Sequence, residues 1–200
     1  MTFKDDSPKV QEEPAEEPLS SPEEEKETPK PFISFLKELP LLILAAVVAA
    51  WLIKTFLFQP FYIPTPSMEP TLKVRDRILV SKLSYRFGQP KQGDIVVFLA
   101  PHETNRDFIK RVIATEGQRV QIREGEVFVN NKPQKEPWAQ KDHDLTNYGP
   151  VTVPKDGIFV MGDNRANSFD SRLFGPLGEE KLIGKALFIY WPPERMGLVH

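Results

Sequence analysis

"FIKRVIATEGQRVQIREGEVFVN", residues 108–130, reads as strand, turn and hairpin, and that reading decides the fold. Val and Ile recur through it, and Glu124-Gly125 supplies turn residues between two short runs with strand character. Strand alternation puts Phe108, Lys110 and Val112 on one face and Ile109, Arg111 and Ile113 on the other. The same texture extends outward to "RILVSKL" (77–83), "DIVVFLA" (94–100), "GIFVMGD" (157–163) and "IGKALFIYW" (183–191). After Phe58 no long amphipathic helix is expected, and only "LGEEKL" suggests a helical turn. The expected fold is mainly β: residues 59–200 form an all-β domain of short strands with coiled connections, preceded by one transmembrane helix.

That helix is expected over residues 39–58, "LPLLILAAVVAAWLIKTFLF", where Lys54 is the one charge. At 1.5 Å per residue it would be roughly 30 Å long, which matches a bilayer hydrocarbon core. Lys54 lies near its end and can snorkel to the interface. Pro60 closes the helix, and Trp51, Phe56, Phe58, Phe61 and Tyr62 supply interfacial aromatics. Lys30 and Lys37 before the span nearly balance Lys54 and Lys73 after it, so charge alone does not orient it.

The 200 residues carry a net charge of −2, which points away from nucleic acid as a partner. Charge is unevenly spread: residues 1–31 hold ten acids, four lysines, six prolines and no glycine. So polar a segment cannot offset its ordering entropy, and residues 1–38 are expected to be a disordered acidic tail. Cysteine is absent, which excludes disulfides, thiolate metal ligands and a cysteine nucleophile. His102, His143 and His200 have no neighbouring ligand at metal spacing and are expected in exposed loops, so neither metal nor cofactor is expected.

In "FYIPTPSMEPTL", residues 61–72, three prolines surround one serine, Ser67. Each proline biases the residue before it (Ile63, Thr65 and Glu69) away from helix, so the stretch is expected to be stiff and extended. No G-x-S-x-G elbow accompanies the serine, and its base need not be histidine. A lysine serves if desolvation lowers its pKa, and Lys110 lies between apolar neighbours on its own strand face. The alternation also allows a plain edge-strand charge there, while Arg111 is expected to be solvated or structural.

"PTPSMEPTL", "DRILVSK", "FIKRVIATEGQRV" and "GDNRANSFDSRLFGPL" resemble, in order, the motifs of bacterial type I signal peptidases. With 52 residues between Lys110 and Asp163 and one expected span, the likeness is to the compact, single-span branch. The resemblance implies Ser67 as nucleophile, Lys110 as general base, Ser168 as a group orienting the lysine, and Thr65 as an oxyanion-hole hydroxyl. It implies that Phe61, Ile63, Ile78 and Ile109 line the substrate pockets, and that Asp163, Arg165, Asp170 and Arg172 hold the site together. The function it implies is removal of signal peptides from exported precursors after an A-x-A pattern.

The expected partners are those signal peptides, the lipid bilayer and a nearby secretion translocon. The tail would then be cytoplasmic and the catalytic domain extracytoplasmic, on a plasma or thylakoid membrane. Two alternatives stay open: a self-cleaving Ser-Lys regulatory protease, and a non-catalytic membrane-anchored β-scaffold.

Overall fold

A computed structural model describes residues 32–52, 57–101, 106–142 and 144–199. His102, His143, His200, Lys54 and residues 1–31 of the acidic tail lie outside these, and so do the expectations attached to them. Contacts divide the chain into residues 1–42 and 43–200.

Helix α1 (Phe32–Leu52) begins seven residues before the expected Leu39, inside the segment assigned to the tail, and contains Pro40. Leu41, Leu42, Ile43, Leu44, Val47, Val48 and Trp51 are all exposed along it, apolar at nearly every position rather than along one stripe. No helix of the described residues is long and apolar enough to cross a membrane, and residues 53–56 of the expected span fall outside them. Phe58 does not end a helix, as expected from sequence, but opens strand β1 (Phe58–Tyr62). Pro60 favours that outcome, because it lacks an N–H and is accommodated on an edge strand.

Residues from β1 onward build two antiparallel sheets. The first contains β1, β2 (Arg77–Ser81), β3 (Ile95–Leu99), β4 (Asp107–Thr115), β9 (Gly157–Met161), β10 (Leu177–Gly178), β11 (Leu182–Trp191) and β12 (Gly197–Leu198). Its order is β1-β2-β11-β3-β4-β9-β10, with β12 paired to β11. The second, ordered β7-β6-β5-β8, contains β5 (Arg119–Arg123), β6 (Glu126–Val129), β7 (Lys132–Pro133) and β8 (Tyr148–Thr152). The hairpin between β5 and β6 turns at Glu124-Gly125 as the sequence predicts. Gly125 has φ +78°, and a Cβ there would run into the Asp144 carbonyl, so the turn requires glycine. Strand β8 was not expected; "YGPVT" lacks alternation and carries a proline.

Three apolar clusters hold these layers. Ile113, Phe159 and Met161 of the first sheet pack with Val120, Ile122 and Val127 of the second. On the central strands, Val96, Phe98, Val112 and Val160 form another cluster, flanked by Phe108 and Phe174. The third gathers Ile63, Met68, Leu72, Ile78, Val97 and Ile189 around the proline-rich segment. In register, Val96 lies opposite Lys110 and Val97 opposite Ile109, so successive β4 residues face different clusters, as alternation predicts. The helical turn expected in "LGEEKL" is present as a 3-10 turn, Glu179–Lys181, while the one α-helix after β1 among the described residues, α2 (Ser171–Phe174), comes from "SRLF", where no turn was expected. Its signal is Asp170, whose side chain caps the Arg172 N–H.

Candidate active site

The proline-rich stretch is extended at Thr65 (φ −128°, ψ 153°) and again at Glu69 (φ −67°, ψ 143°), as expected. Between them Pro66–Met68 make one 3-10 turn, a tighter conformation than the sequence suggested. Proline at the first helical position permits this, since its φ suits the turn and no N–H is lost from it. The turn buries Ser67 and Met68, and Met68 anchors it in the apolar cluster. Two backbone bonds tie the stretch down: Ile63 N–H donates to Asp76 O at 2.9 Å, and Arg75 N–H to Ile63 O at 2.9 Å.

Lys110 comes to this turn from the middle of β4, 43 residues later. Its Nζ lies 2.7 Å from Ser67 Oγ and 2.9 Å from the Ile109 carbonyl, which accepts from it. The side chain is 4% exposed, with the Phe108 ring centroid 5.6 Å from Nζ. Burial lowers its pKa from 10.5 to about 8, against the opposing pull of the Asp170 and Asp163 carboxylates. Thr65 Oγ1 stands 3.5 Å from Ser67 Oγ.

Gly162 lies between the serine segments. A Cβ at Gly162 would overlap both Ser168 Oγ and the Ser67 carbonyl oxygen, so only glycine allows this approach. Ser168 Oγ is buried and has no hydrogen-bond partner among the described residues; Lys110 Nζ is bonded to Ser67 and Ile109 instead. Asn164 fastens the serine turn, its N–H donating to Ser67 O at 3.1 Å and its Nδ2 to Pro66 O at 3.3 Å.

Beneath the pair runs a buried ionic network. Arg111 donates to both Asp163 oxygens (2.9 and 2.8 Å), and Thr71 Oγ1 donates to Asp163 Oδ2. Arg165 forks onto Glu136 at 2.9 and 2.7 Å, and its Nε donates to Gly162 O. Arg172 bonds Asp170, Asp144 and the Arg165 carbonyl, while Asp170 accepts the Gly162 N–H at 3.0 Å. Asp163, Arg165, Asp170 and Arg172 are thus brought together, as expected. Arg111 takes the structural of its two expected roles: it is buried, and its guanidinium also lies 4.6 Å from the Trp138 ring centroid. Glu136, Thr71 and Gly162 were missed. Glu136 stands alone in a polar loop without a pattern, whereas a glycine directly before Asp163 is a signal of close backbone approach that could have found Gly162.

Phe61, Ile63, Ile78 and Ile109 meet in one apolar cluster, including Ile109, which lies on the opposite face of β4 from Lys110. Ile63 and Ile78 are almost fully buried there, with Phe61 and Ile109 partly exposed above them.

Residues 36–191 match the family described as signal peptidase, peptidase S26. The chain belongs to the S26 signal peptidase family. The peptidase is 40% identical to a signal peptidase I of Leptolyngbya laminosa over 98% of this chain and 96% of that one. It is 42% identical to a probable signal peptidase I-2 of a Synechocystis strain, over 81% of this chain and 76% of the relative. A thylakoidal processing peptidase of Arabidopsis thaliana is 40% identical over 76% of this chain and 47% of its own length. The peptidase is therefore an enzyme, a serine endopeptidase by family.

Proposed function

We propose that the peptidase removes N-terminal signal peptides from exported precursors, with Ser67 as nucleophile and Lys110 as general base. The observation that carries this reading is the 2.7 Å approach of Lys110 Nζ to Ser67 Oγ in a desolvated setting. Neutral Lys110 accepts the Ser67 proton as Oγ attacks the carbonyl carbon before the cut. The Ser67 N–H and the Thr65 hydroxyl hold the resulting oxyanion. When the C–N bond breaks, the Lys110 ammonium returns its proton to the leaving amine. Water, deprotonated by Lys110, then attacks the ester and frees the signal peptide. The unspent Ser168 hydroxyl, against Gly162 beside the serine turn, is available to the ammonium form of Lys110.

Selection of small side chains fits the same arrangement. A substrate bound as an added strand turns residues one and three before the cut to the same side. The cluster of Phe61, Ile63, Ile78 and Ile109 offers a shallow apolar floor there, admitting alanine-sized groups. The apolar stretch of residues 39–58 in the sequence supports a single membrane anchor, and cleavage after export puts the tail in the cytoplasm and the domain outside, close to emerging precursors. The test is cleavage of a precursor with an A-x-A site by the full chain in lipid vesicles, read by sequencing the new N-terminus. Ser67→Ala should abolish it; persistence of the same cut in that variant removes the proposed nucleophile.

A further inference from the structure

A cavity of about 650 Å³ opens beside Ser168, and none of the steps above uses it. Residues 144–148 form one wall and the segment around Ser168, Arg172 and Leu173 the other. Leu145 and Leu173 stand on it 76% and 67% exposed, without the apolar cover that leucines normally find. Its charged groups are already committed: Arg172 to Asp144 and Asp170, and Arg165 to Glu136. What the cavity presents is leucine, alanine, tyrosine, threonine and asparagine, a lining suited to an uncharged peptide segment.

We propose that this cavity receives the mature side of the precursor, the residues that follow the scissile bond. The inference rests on Ser67 being the nucleophile. A substrate strand crossing Ser67 leaves the serine in two directions. One direction is taken by the signal-peptide side over Phe61, Ile63, Ile78 and Ile109, none of which borders this cavity. The other leads toward the segment of Ser168, which buried Gly162 packs against the Ser67 carbonyl. Ser168 itself borders the cavity, so the serine turn and the cavity share a wall.

The test uses the full chain in detergent micelles and two substrates with the same signal side through A-x-A. One continues for six mature residues, with an apolar residue at the second or third; the other ends in a chromogenic amide directly after the cut. The wild type should favour the long substrate in kcat/KM by about tenfold or more, the discrimination one well-filled apolar pocket supplies. Leu145→Asp and Leu173→Asp, at exposed positions that should leave folding intact, should collapse that ratio toward one by raising KM on the long substrate. Leu145→Asp should also come to prefer a lysine on the mature side. An unchanged ratio in both variants, or an equal loss on both substrates, overturns the assignment. In those cases Ser67→Ala, run in parallel, shows whether the catalytic reading itself survives.

Discussion

Burial of Lys110 between Phe108 and Val112 weakens the amine's hold on its proton, as the proposed base requires, and it is also a cost to the fold. With its pKa lowered to about 8, the neutral fraction rises through that pH, so kcat/KM should climb along a limb near pH 8 instead of near 10.5. Lys110→Arg keeps the charge but cannot deprotonate, and should be nearly inactive while still folded. Below pH 8 the amine is protonated in both folded and unfolded chains, and the full burial cost stands. Between 8 and 10.5 the unfolded chain alone keeps the proton, so stability should rise with pH there. The shift from 10.5 to about 8 corresponds to a cost on the order of 3 kcal/mol. Lys110→Met should therefore unfold at higher urea than the wild type at pH 7, a gain that fades toward pH 10.5. A flat difference between the two across that range would refute the burial account. Gly162 gives a second residue-scale expectation. Gly162→Ala must displace Ser67 or Ser168, and a shift of about 1 Å at the nucleophile should cost roughly 100-fold in kcat. Single-turnover cleavage of a short peptide measures it.

The strand β4 carries adjacent residues into opposite tasks: Lys110 toward the serine turn, Arg111 into the carboxylate of Asp163. Removing one partner of that fully buried pair leaves an uncompensated charge, so Asp163→Ala should lose roughly 3–5 kcal/mol in urea unfolding. The double variant Asp163→Leu, Arg111→Met should recover much of it, because both charges then leave the interior together. If the double variant unfolds as readily as the single one, the pair is not the origin of the loss. Ile63 and Ile78 belong to the core as well as to the proposed pocket floor, so truncation to alanine would mix two effects. Ile63→Val and Ile78→Val remove one methylene each and should relax side-chain choice at the cut by about 1–3 kcal/mol of discrimination, with turnover retained. An unchanged cut-site profile in both would take them out of the pocket. This division of labour explains what the sequence disclosed. Period-two alternation exposed β4, its two faces and the hairpin after it, because local sterics set them. The proline-rich turn was legible as stiff, and the likeness to a family supplied the roles. Glu136, Thr71 and β8 were not legible, since their partners are chosen by tertiary approach: Thr71 meets Asp163 across 92 residues of chain.

For the whole molecule, the proposed anchor predicts a split between substrates. Residues 59–200 contain Ser67, Lys110 and the network, so they should still cut short soluble peptides. On precursors embedded in vesicles they should fall well behind the full chain, because the apolar segment before β1 no longer holds them at the bilayer. Equal rates on embedded precursors with and without residues 1–58 would end the anchoring role. The strand order has a temporal consequence. β11 is inserted between β2 and β3, pairing with both, and Lys185 on it reaches Asp94, 91 residues earlier. Until β11 has been synthesised, β2 and β3 lack the strand that pairs them into one sheet, and the serine turn meets β4 and the segment after β9 only through side-chain and loop bonds. Such distant pairing is slow to form. A growing chain therefore carries Ser67 and Lys110 for much of its synthesis before the sheet around them is closed.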